Sequence, residues 1–187
     1  MKAPSRIETE RLTLLRPEGR DAAEIFRRYA ADPDVTRFVS WPRHSSVEDT
    51  NAFLSFSASE WKKWPAGPYL IRSRTDQRLL GGTGLAFESA REAMTGYVLA
   101  KDSWGMGYAT EALMAIVRLG QEIGLERLSA FCHPDHRASR RVLEKCGFEH
   151  DGKWSGQAEF PNLAQGSPVP VVRYERVLRG SSHEPAS

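Results

Sequence analysis

Between a predicted strand and a predicted amphipathic helix, the chain reads Trp104-Gly105-Met106-Gly107-Tyr108-Ala109-Thr110-Glu111. Two glycines beside a helix start let the backbone turn its free N–H groups toward one point, and such a nest binds anions. The first helical turn adds unpaired N–H groups and the positive end of the helix dipole. The same glycines are also typical of a plain strand-to-helix connection, and the segment lacks a P-loop ending. It indicates an anion site only in combination with other motifs.

The residues around this segment predict the fold class. Leu113, Ile116 and Val117 share one face of the following helix, and Gly124 ends it. Ser45 and Glu48 have the spacing of a capping box at the start of an earlier helix. The predicted strands are 12–16, 69–74, 79–88, 93–99, 128–132, 149–154 and 171–178, and the predicted helices begin at 22, 45, 108 and 139. This order predicts a single α+β domain with a mixed, mostly antiparallel central sheet of about seven strands and helices on both faces.

Composition narrows the class of protein. The chain has 187 residues, a formal net charge of +2 and two cysteines, Cys132 and Cys146. So few cysteines argue against a secreted disulfide framework, and no stretch approaches the ~20 apolar residues that cross a bilayer. Acidic residues nearly balance the basic ones, which argues against a surface for nucleic acid. We therefore expect a cytoplasmic protein that binds neither membrane nor nucleic acid, with one domain over residues 6–178 and a polar tail over 179–187.

Three further blocks accompany the glycine segment. They are Glu10-Arg11-Leu12-Thr13-Leu14, Gly96-Tyr97-Val98-Leu99, and His133-Pro134-Asp135-His136-Arg137-Ala138-Ser139 leading to Glu144-Lys145-Cys146-Gly147-Phe148. Together these blocks resemble the GNAT superfamily of acetyl-CoA-dependent N-acetyltransferases, and in particular its Rim-type, ribosomal-protein-alanine acetyltransferase-like branch. The resemblance extends from about residue 6 to residue 178.

The resemblance implies a reaction and a cofactor site. Acetyl-CoA is the expected cosubstrate, without a metal, and the acetyl group passes to a primary amine by direct attack in a ternary complex. The amine is expected on a protein N-terminus or on a small molecule. A backbone N–H near Val98 or Leu99 would face the thioester oxygen. The positions that match the family's cofactor site are Tyr97, Val98, Leu99, Trp104, Gly105, Met106, Gly107, Tyr108, Ala109, Thr110, His136 and Ser139.

Two positions depart from the family pattern in a way that bears on chemistry. His136 stands where the family usually has an asparagine that contacts the pantetheine arm, and a histidine can still donate a hydrogen bond there. Leu143 stands where many members carry a tyrosine that protonates the leaving thiolate. These departures keep open an alternative, a non-catalytic acyl-CoA-binding or sensor module.

Glu88 and Ser139 are the predicted catalytic residues. Glu88 ends a glycine-rich hairpin strand beside the strand of Tyr97, where the family often has its acidic base; a solvated turn carboxylate, Glu92 or a water chain also fits this pattern. Ser139 takes the acid position of the Rim-type branch, although a serine there is also typical of a helix N-cap. Glu111 lies in the first turn of a helix, where the dipole alone favours a carboxylate, so we interpret it as structural.

The remaining candidates are weaker. Cys132, His133, His136 and Cys146 include soft metal ligands, but their spacing argues against zinc, and Cys132 is expected to be buried rather than to carry an acyl group. The amine acceptor is expected to contact residues 33–64 and 155–168. The aromatic residues there, which also fit simple packing, are Trp41, Trp61, Trp64 and Phe160. The sequence is compatible with a monomer or a homodimer.

Overall fold

The computed structural model describes residues 2–150, 152, 156–163 and 167–178. Its main sheet has eight strands in the order β1-β2-β3-β4-β5-β6-β10-β7. All neighbours are antiparallel except β5 and β6, which are parallel. The strands are β1 (Arg6–Glu8), β2 (Leu12–Leu15), β3 (Pro68–Ser73), β4 (Leu79–Phe87), β5 (Glu92–Leu99), β6 (Arg127–Cys132), β7 (Glu149–His150) and β10 (Val172–Val177), and the short pair β8 (Gln157–Ala158) and β9 (Val169–Pro170) stands apart. The predicted α+β class and mostly antiparallel mixed sheet are confirmed.

The described residues form four α-helices beside the sheet: α1 (Ala22–Ile25), α2 (Val47–Lys63), α3 (Tyr108–Glu122) and α4 (Arg137–Lys145). They lie on both faces because neighbouring strand residues point to opposite sides. In β3, Leu70 belongs to the buried cluster that includes residues of α1 and α2. Tyr69 and Ile71 belong to the cluster that includes residues of α3 and α4, together with Trp61 near the end of α2. No helix formed by the described residues is long and apolar enough to cross a membrane.

Helix α3 forms for the reasons that its sequence indicates. Leu113, Ile116 and Val117 are fully buried against the sheet. Gly124, with φ of +83°, follows the helix end in the left-handed conformation that glycine adopts without strain. The helix carries the chain from β5 across to β6, which is the crossover that a parallel strand pair requires.

Several element boundaries differ from the prediction. Strand β1 was not predicted, since three residues of mixed polarity carry too little alternation. The N-cap of helix α2 is Ser46, one residue after the predicted Ser45, and Asp49 closes the capping box, so the prediction of Ser45 and Glu48 was wrong. Residues Phe26–Ala30 widen into a π-turn after α1.

Helix α4, in contrast, begins earlier than predicted, at Arg137 with His136 at the N-cap. Ser139 is therefore the third helical residue, and the N-cap interpretation of Ser139 is wrong. Of the predicted strand 149–154, only Glu149–His150 lies in β7, and residues 151 and 153–155 fall outside the described part of the chain, as does the predicted tail.

Strands β4 and β5 approach closely at one glycine. A Cβ on Gly81 would lie 2.0 Å from the carbonyl oxygen of Val98, whereas a Cβ on Gly96, in β5, would meet nothing within 4 Å. No side chain fits at 2.0 Å from a backbone oxygen, so residue 81 must lack one.

We expect Gly81→Ala to lower the free energy of unfolding by about 3 kcal/mol or more, because overpacking against backbone cannot be relieved by a rotamer change. The matched substitution Gly96→Ala should cost less than about 1 kcal/mol. Urea unfolding of the two variants measures the difference. Equal losses would show that the close approach at Gly81 is not the constraint.

Candidate active site

The site lies where two neighbouring strands separate. Strands β5 and β6 pair only through Glu92–Met94 and Arg127–Ser129. Beyond these residues the strands diverge, and a cavity of about 790 Å³ opens between them. The β5 backbone from Thr95 to Leu99 pairs with β4 on one side only in the described structure. Its other edge can therefore hydrogen-bond a ligand in the cavity.

Most of the predicted cofactor positions line this cavity. They are Tyr97, Val98, Leu99, Trp104, Gly105, Ala109, His136 and Ser139. Met106, Gly107, Tyr108 and Thr110 belong to the same loop and helix start but are not among the residues of the cavity wall. The structure thus brings β5, the glycine loop and the start of α4 together around one space.

The glycine loop has the geometry of an anion nest. Gly105 and Gly107 both have positive φ, +75° and +78°, and Gly107 is the N-cap of α3. A Cβ on Gly105 would meet nothing within 4 Å, so the backbone there faces open space. The Trp104 indole donates from Nε1 to the carbonyl oxygen of Leu99, 2.9 Å away, which attaches the loop to β5.

The side chain of Arg11 stabilises the glycine loop by direct contacts. Its Nη1 donates to the carbonyl oxygen of Met106 at 2.9 Å, and its guanidinium carbon lies 4.7 Å from the centre of the Tyr108 ring. The same guanidinium donates from Nε to Oε2 of Glu111 at 2.7 Å. Sequence reasoning missed this role, although Arg11 belongs to the opening block that carries the family resemblance.

Glu111 is the centre of that contact. Its Oε1 accepts hydrogen bonds from the hydroxyl of Thr9 at 2.6 Å and from the backbone N–H of Arg11 at 2.8 Å. Burial alone would raise the pKa of the Glu111 carboxyl, but the hydrogen bonds from Thr9 and Arg11 hold it below its usual value. The carboxylate is therefore ionised and bonded, which agrees with the structural interpretation of Glu111.

Tyr97 and Ser139 meet across the gap between β5 and α4. The Tyr97 hydroxyl donates to the Ser139 side-chain oxygen at 3.1 Å and lies 3.3 Å from the Ser139 carbonyl oxygen. Burial raises the pKa of Tyr97, so its hydroxyl stays protonated at neutral pH. Burial also raises the pKa of the nearby Cys132 thiol to about 11, which makes that thiol a poor nucleophile.

His136 faces the cavity beside this pair. Its ring stacks on Phe38 with centroids 4.8 Å apart. Burial lowers the pKa of His136, and the neighbouring His133 lowers it further. The imidazole is therefore neutral at pH 7 and has a nitrogen free to accept a proton.

Glu88 does not reach the cavity. It is exposed in the turn between β4 and β5, where its N–H donates to the carbonyl oxygen of Glu92. Thr83 pairs with Tyr97, and Glu88 lies five residues farther along the chain, which is about 17 Å at ~3.3 Å per strand residue. Glu88 and Glu92, the first residue of β5, are both far from the diverging ends of β5 and β6, so the prediction of Glu88 as base does not fit the geometry.

Two loops add aromatic rings to the cavity wall. The first covering loop, residues 31–46, supplies Phe38 and Trp41, and the second covering loop, which includes residues 159–163, supplies Phe160. The aromatic residues singled out from the sequence divide accordingly. Trp61 is buried beside Tyr69 and Trp64 stacks on Phe87, so these two pack in the fold and do not line the cavity.

The soft-ligand set of the second block does not converge. Within the part of the chain that the structure describes, no three His, Cys, Asp or Glu side chains are placed to hold a metal ion. Cys146 donates toward the Thr110 carbonyl oxygen at 3.6 Å, away from the two histidines.

Comparison with known sequences assigns the family. Residues 11–149 match the family described as "Acetyltransferase (GNAT) domain". The chain belongs to the GNAT acetyltransferase family. A curated relative, the N-acetyltransferase YoaA of Bacillus subtilis, is 30% identical over 149 residues, which cover 78% of this chain and 84% of YoaA. The resemblance drawn from the sequence blocks is confirmed, and the protein is an acetyltransferase.

Solved structures of GNAT proteins share the fold. The microcin C7 self-immunity acetyltransferase MccE, in complex with acetyl-CoA and AMP, has a TM-score of 0.79 at 22% identity, over 94% of this chain and 97% of MccE. The ribosomal-protein-S5-alanine acetyltransferase of Vibrio fischeri has a TM-score of 0.76 at 16% identity, over 97% of this chain and the whole of that one. The chain therefore shares its overall fold with these acetyltransferases.

We expect Glu111→Gln to lower the free energy of unfolding at pH 7 by about 1–3 kcal/mol, because hydrogen bonds to a charged group are lost. A carboxyl whose pKa is lowered by folding stabilises the protein above its unfolded pKa of about 4.3 and loses this contribution as pH falls. The difference between native protein and variant should therefore shrink below about pH 4.

Urea unfolding across this pH range measures the effect, with Glu122→Gln, an exposed acid on the same helix, as the control. A pH-independent difference would mean that the Glu111 charge is not the stabilising feature.

Proposed function

We propose that this GNAT protein transfers the acetyl group of acetyl-CoA to a primary amine by direct attack in a ternary complex. The observation that carries the proposal is that residues of β5, the glycine loop, the start of α4 and the covering loops line one continuous cavity. Such a cavity lets a thioester and an amine meet without a covalent acyl-enzyme. The buried Cys132 thiol, with its raised pKa, supports the same conclusion.

Acetyl-CoA fits the end of the cavity that β5 and the glycine loop form. The pyrophosphate would accept hydrogen bonds from the backbone N–H groups of residues 105–109 at the start of α3. The pantetheine arm would pair with the free edge of β5, as an added strand does. MccE holds acetyl-CoA and shares this fold, which supports the assignment.

Bond changes at the thioester assign roles to three groups. The amine nitrogen forms a bond to the acetyl carbon while the carbon–sulfur bond breaks, and a backbone N–H near Val98 or Leu99 stabilises the oxyanion. The leaving sulfur takes a proton from the Ser139 hydroxyl. The Tyr97 hydroxyl donates a hydrogen bond to the oxygen of that Ser139 side chain. This pair offers the acid that Leu143, a buried core residue, cannot supply.

The proton of the attacking amine goes to His136 in our proposal. This histidine replaces Glu88, because it lines the cavity and its lowered pKa keeps it neutral. It is the N-cap of α4 and Ser139 is the third helical residue, and both side chains line the same cavity. The base and the acid are then neighbours at the same thioester.

The direct test combines acetyl-CoA with primary amines and measures the acetylated product by mass and the released CoA thiol. One product for each CoA released supports the proposal. Tight acetyl-CoA binding with no turnover of any amine would instead support the acyl-CoA-binding module.

We expect Arg11→Gln to weaken CoA binding about fivefold to tenfold, since a partly exposed charge-assisted bond to the Met106 carbonyl is lost and the loop is less ordered. Isothermal titration with CoA measures the dissociation constant. Arg74→Gln is the matched control, because Arg74 donates to the carbonyl oxygens of Thr9 and Glu10 but does not contact the glycine loop. Equal affinities in the two variants would remove Arg11 from the cofactor site.

His136→Asn separates a base from a cofactor contact. Asparagine keeps a hydrogen-bonding side chain but accepts no proton, so kcat should fall about 100-fold at pH 7 while the KM for acetyl-CoA changes little. Native activity should decline as pH falls through the lowered pKa of His136, below the usual 6.5. The variant should lose this acidic limb and follow deprotonation of the amine.

Rates from pH 5 to 9 measure both effects, with His150→Asn on the remote strand β7 as the control. An unchanged kcat with the acidic limb intact would assign the proton to water and leave His136 as a cofactor contact.

A further inference from the structure

Aromatic rings form part of the cavity wall. We define the acceptor pocket by six aromatic and imidazole side chains that line the cavity, Tyr29, Phe38, Trp41, His44, Phe53 and Phe160. They come from the π-turn after α1, the 31–46 loop, helix α2 and the second covering loop. Four separate segments thus contribute rings to one cavity.

Free negative charge is absent from the described wall of this cavity. Its carboxylate there, Asp34, is paired with Lys101, and the remaining charged residue of the wall, Arg37, lies 5.2 Å over the Phe38 ring. A polyamine or an aminoglycoside carries several ammonium groups, and burying them needs several partner carboxylates. The acceptor pocket offers none, so a polycation would be poorly held.

Hydrogen bonds of the Asn162 side chain join the two covering loops. The Asn162 side chain donates to the carbonyl oxygens of Thr36 at 2.8 Å and Trp41 at 3.0 Å, and it accepts from the N–H of Arg43 at 2.8 Å. These three bonds join the second loop to the 31–46 loop. An extended peptide would have to break them to lie between the loops.

A row of rings closes the same gap. The centre of the His133 ring lies 5.2 Å from the centre of the Phe38 ring and 5.0 Å from the centre of the Phe160 ring. The Phe38 ring in turn stacks on His136. Contacts at these distances are typical of stabilising aromatic pairs. The row and the Asn162 bonds together restrict the pocket to a compact molecule.

From these observations we infer that the acceptor is a small primary amine with an aromatic or apolar body and no second charge. This inference rests on the proposed acetyl transfer and names its substrate class. The rings bury the body, and their faces attract the ammonium form on entry. The ammonium group first releases one proton to water, and the neutral nitrogen then forms the amide bond to the acetyl carbon as the carbon–sulfur bond breaks. The second amine proton passes to His136, and CoA leaves as the thiol with the proton of the Ser139 hydroxyl.

The probes are 2-phenylethylamine, spermidine, kanamycin and a peptide with an N-terminal alanine, each with the full-length protein and acetyl-CoA. Burying a phenyl ring contributes about 1.5–3 kcal/mol, so kcat/KM for 2-phenylethylamine should exceed that for each other probe at least about tenfold. Formation of the acetylated amine, followed by mass, gives the rates.

Trp41→Ala tests the pocket itself. We expect the KM for 2-phenylethylamine to rise about tenfold, since a ring of the wall is removed, with the KM for acetyl-CoA unchanged. The backbone carbonyl that accepts from Asn162 remains. Trp64→Ala is the matched control, because that half-buried indole stacks on Phe87 outside the cavity and its loss should change neither KM.

The outcomes separate this inference from the proposed function. If spermidine, kanamycin or the peptide is acetylated as well as or better than 2-phenylethylamine, the substrate class is wrong and acetyl transfer stands. If CoA binds but no probe is acetylated, the inferred class is also overturned, and the binding-module alternative gains. If Trp41→Ala and Trp64→Ala behave alike, the rings do not form the acceptor pocket.

Discussion

The parallel pairing of β5 and β6 stops after Met94 and Ser129, and the cavity exists because it stops there. A sheet that stayed paired would satisfy its own backbone groups and leave no edge for a ligand. The divergence places the glycine loop, β5 and the start of α4 around one space. Helix α3 connects the strands on the two sides of this gap, β5 and β6.

Sequence patterns predicted most of this frame. Local features can be predicted from the sequence. They include the apolar face of α3, the left-handed Gly107 and Gly124, and the alternation in β6. The family blocks likewise marked the residues of the cofactor end. The sequence could not predict the distance between Glu88 and Tyr97. Glu88 follows β4, the strand beside that of Tyr97, but it lies in the hairpin turn, five residues beyond the partner of Tyr97. The capping box of α2 was misplaced by one residue because Ser45 and Ser46, and Glu48 and Asp49, are chemically alike.

For the covering loops, the sequence predicted a general role but not the contacts. Their length and aromatic content indicated a binding role, but their contacts join residues far apart in the chain. The Asn162 side chain donates a hydrogen bond to the carbonyl oxygen of Thr36, 126 positions away. No local sequence pattern around Asn162 or Phe38 predicts such a partner. Trp41 and Trp64 look equivalent in sequence, and only packing shows that one lines the cavity and the other stacks on Phe87.

The bond between Arg11 and Glu111 spans 100 positions of the chain. Contacts between such distant residues form late, because closing a long loop costs entropy before the contact can stabilise it. On a ribosome, Arg11 emerges long before the helix that carries Glu111. The glycine loop therefore acquires its support only when the two ends of the β1–α3 region have met, and an ordered nest is a property of the completed fold rather than of the segment that forms it.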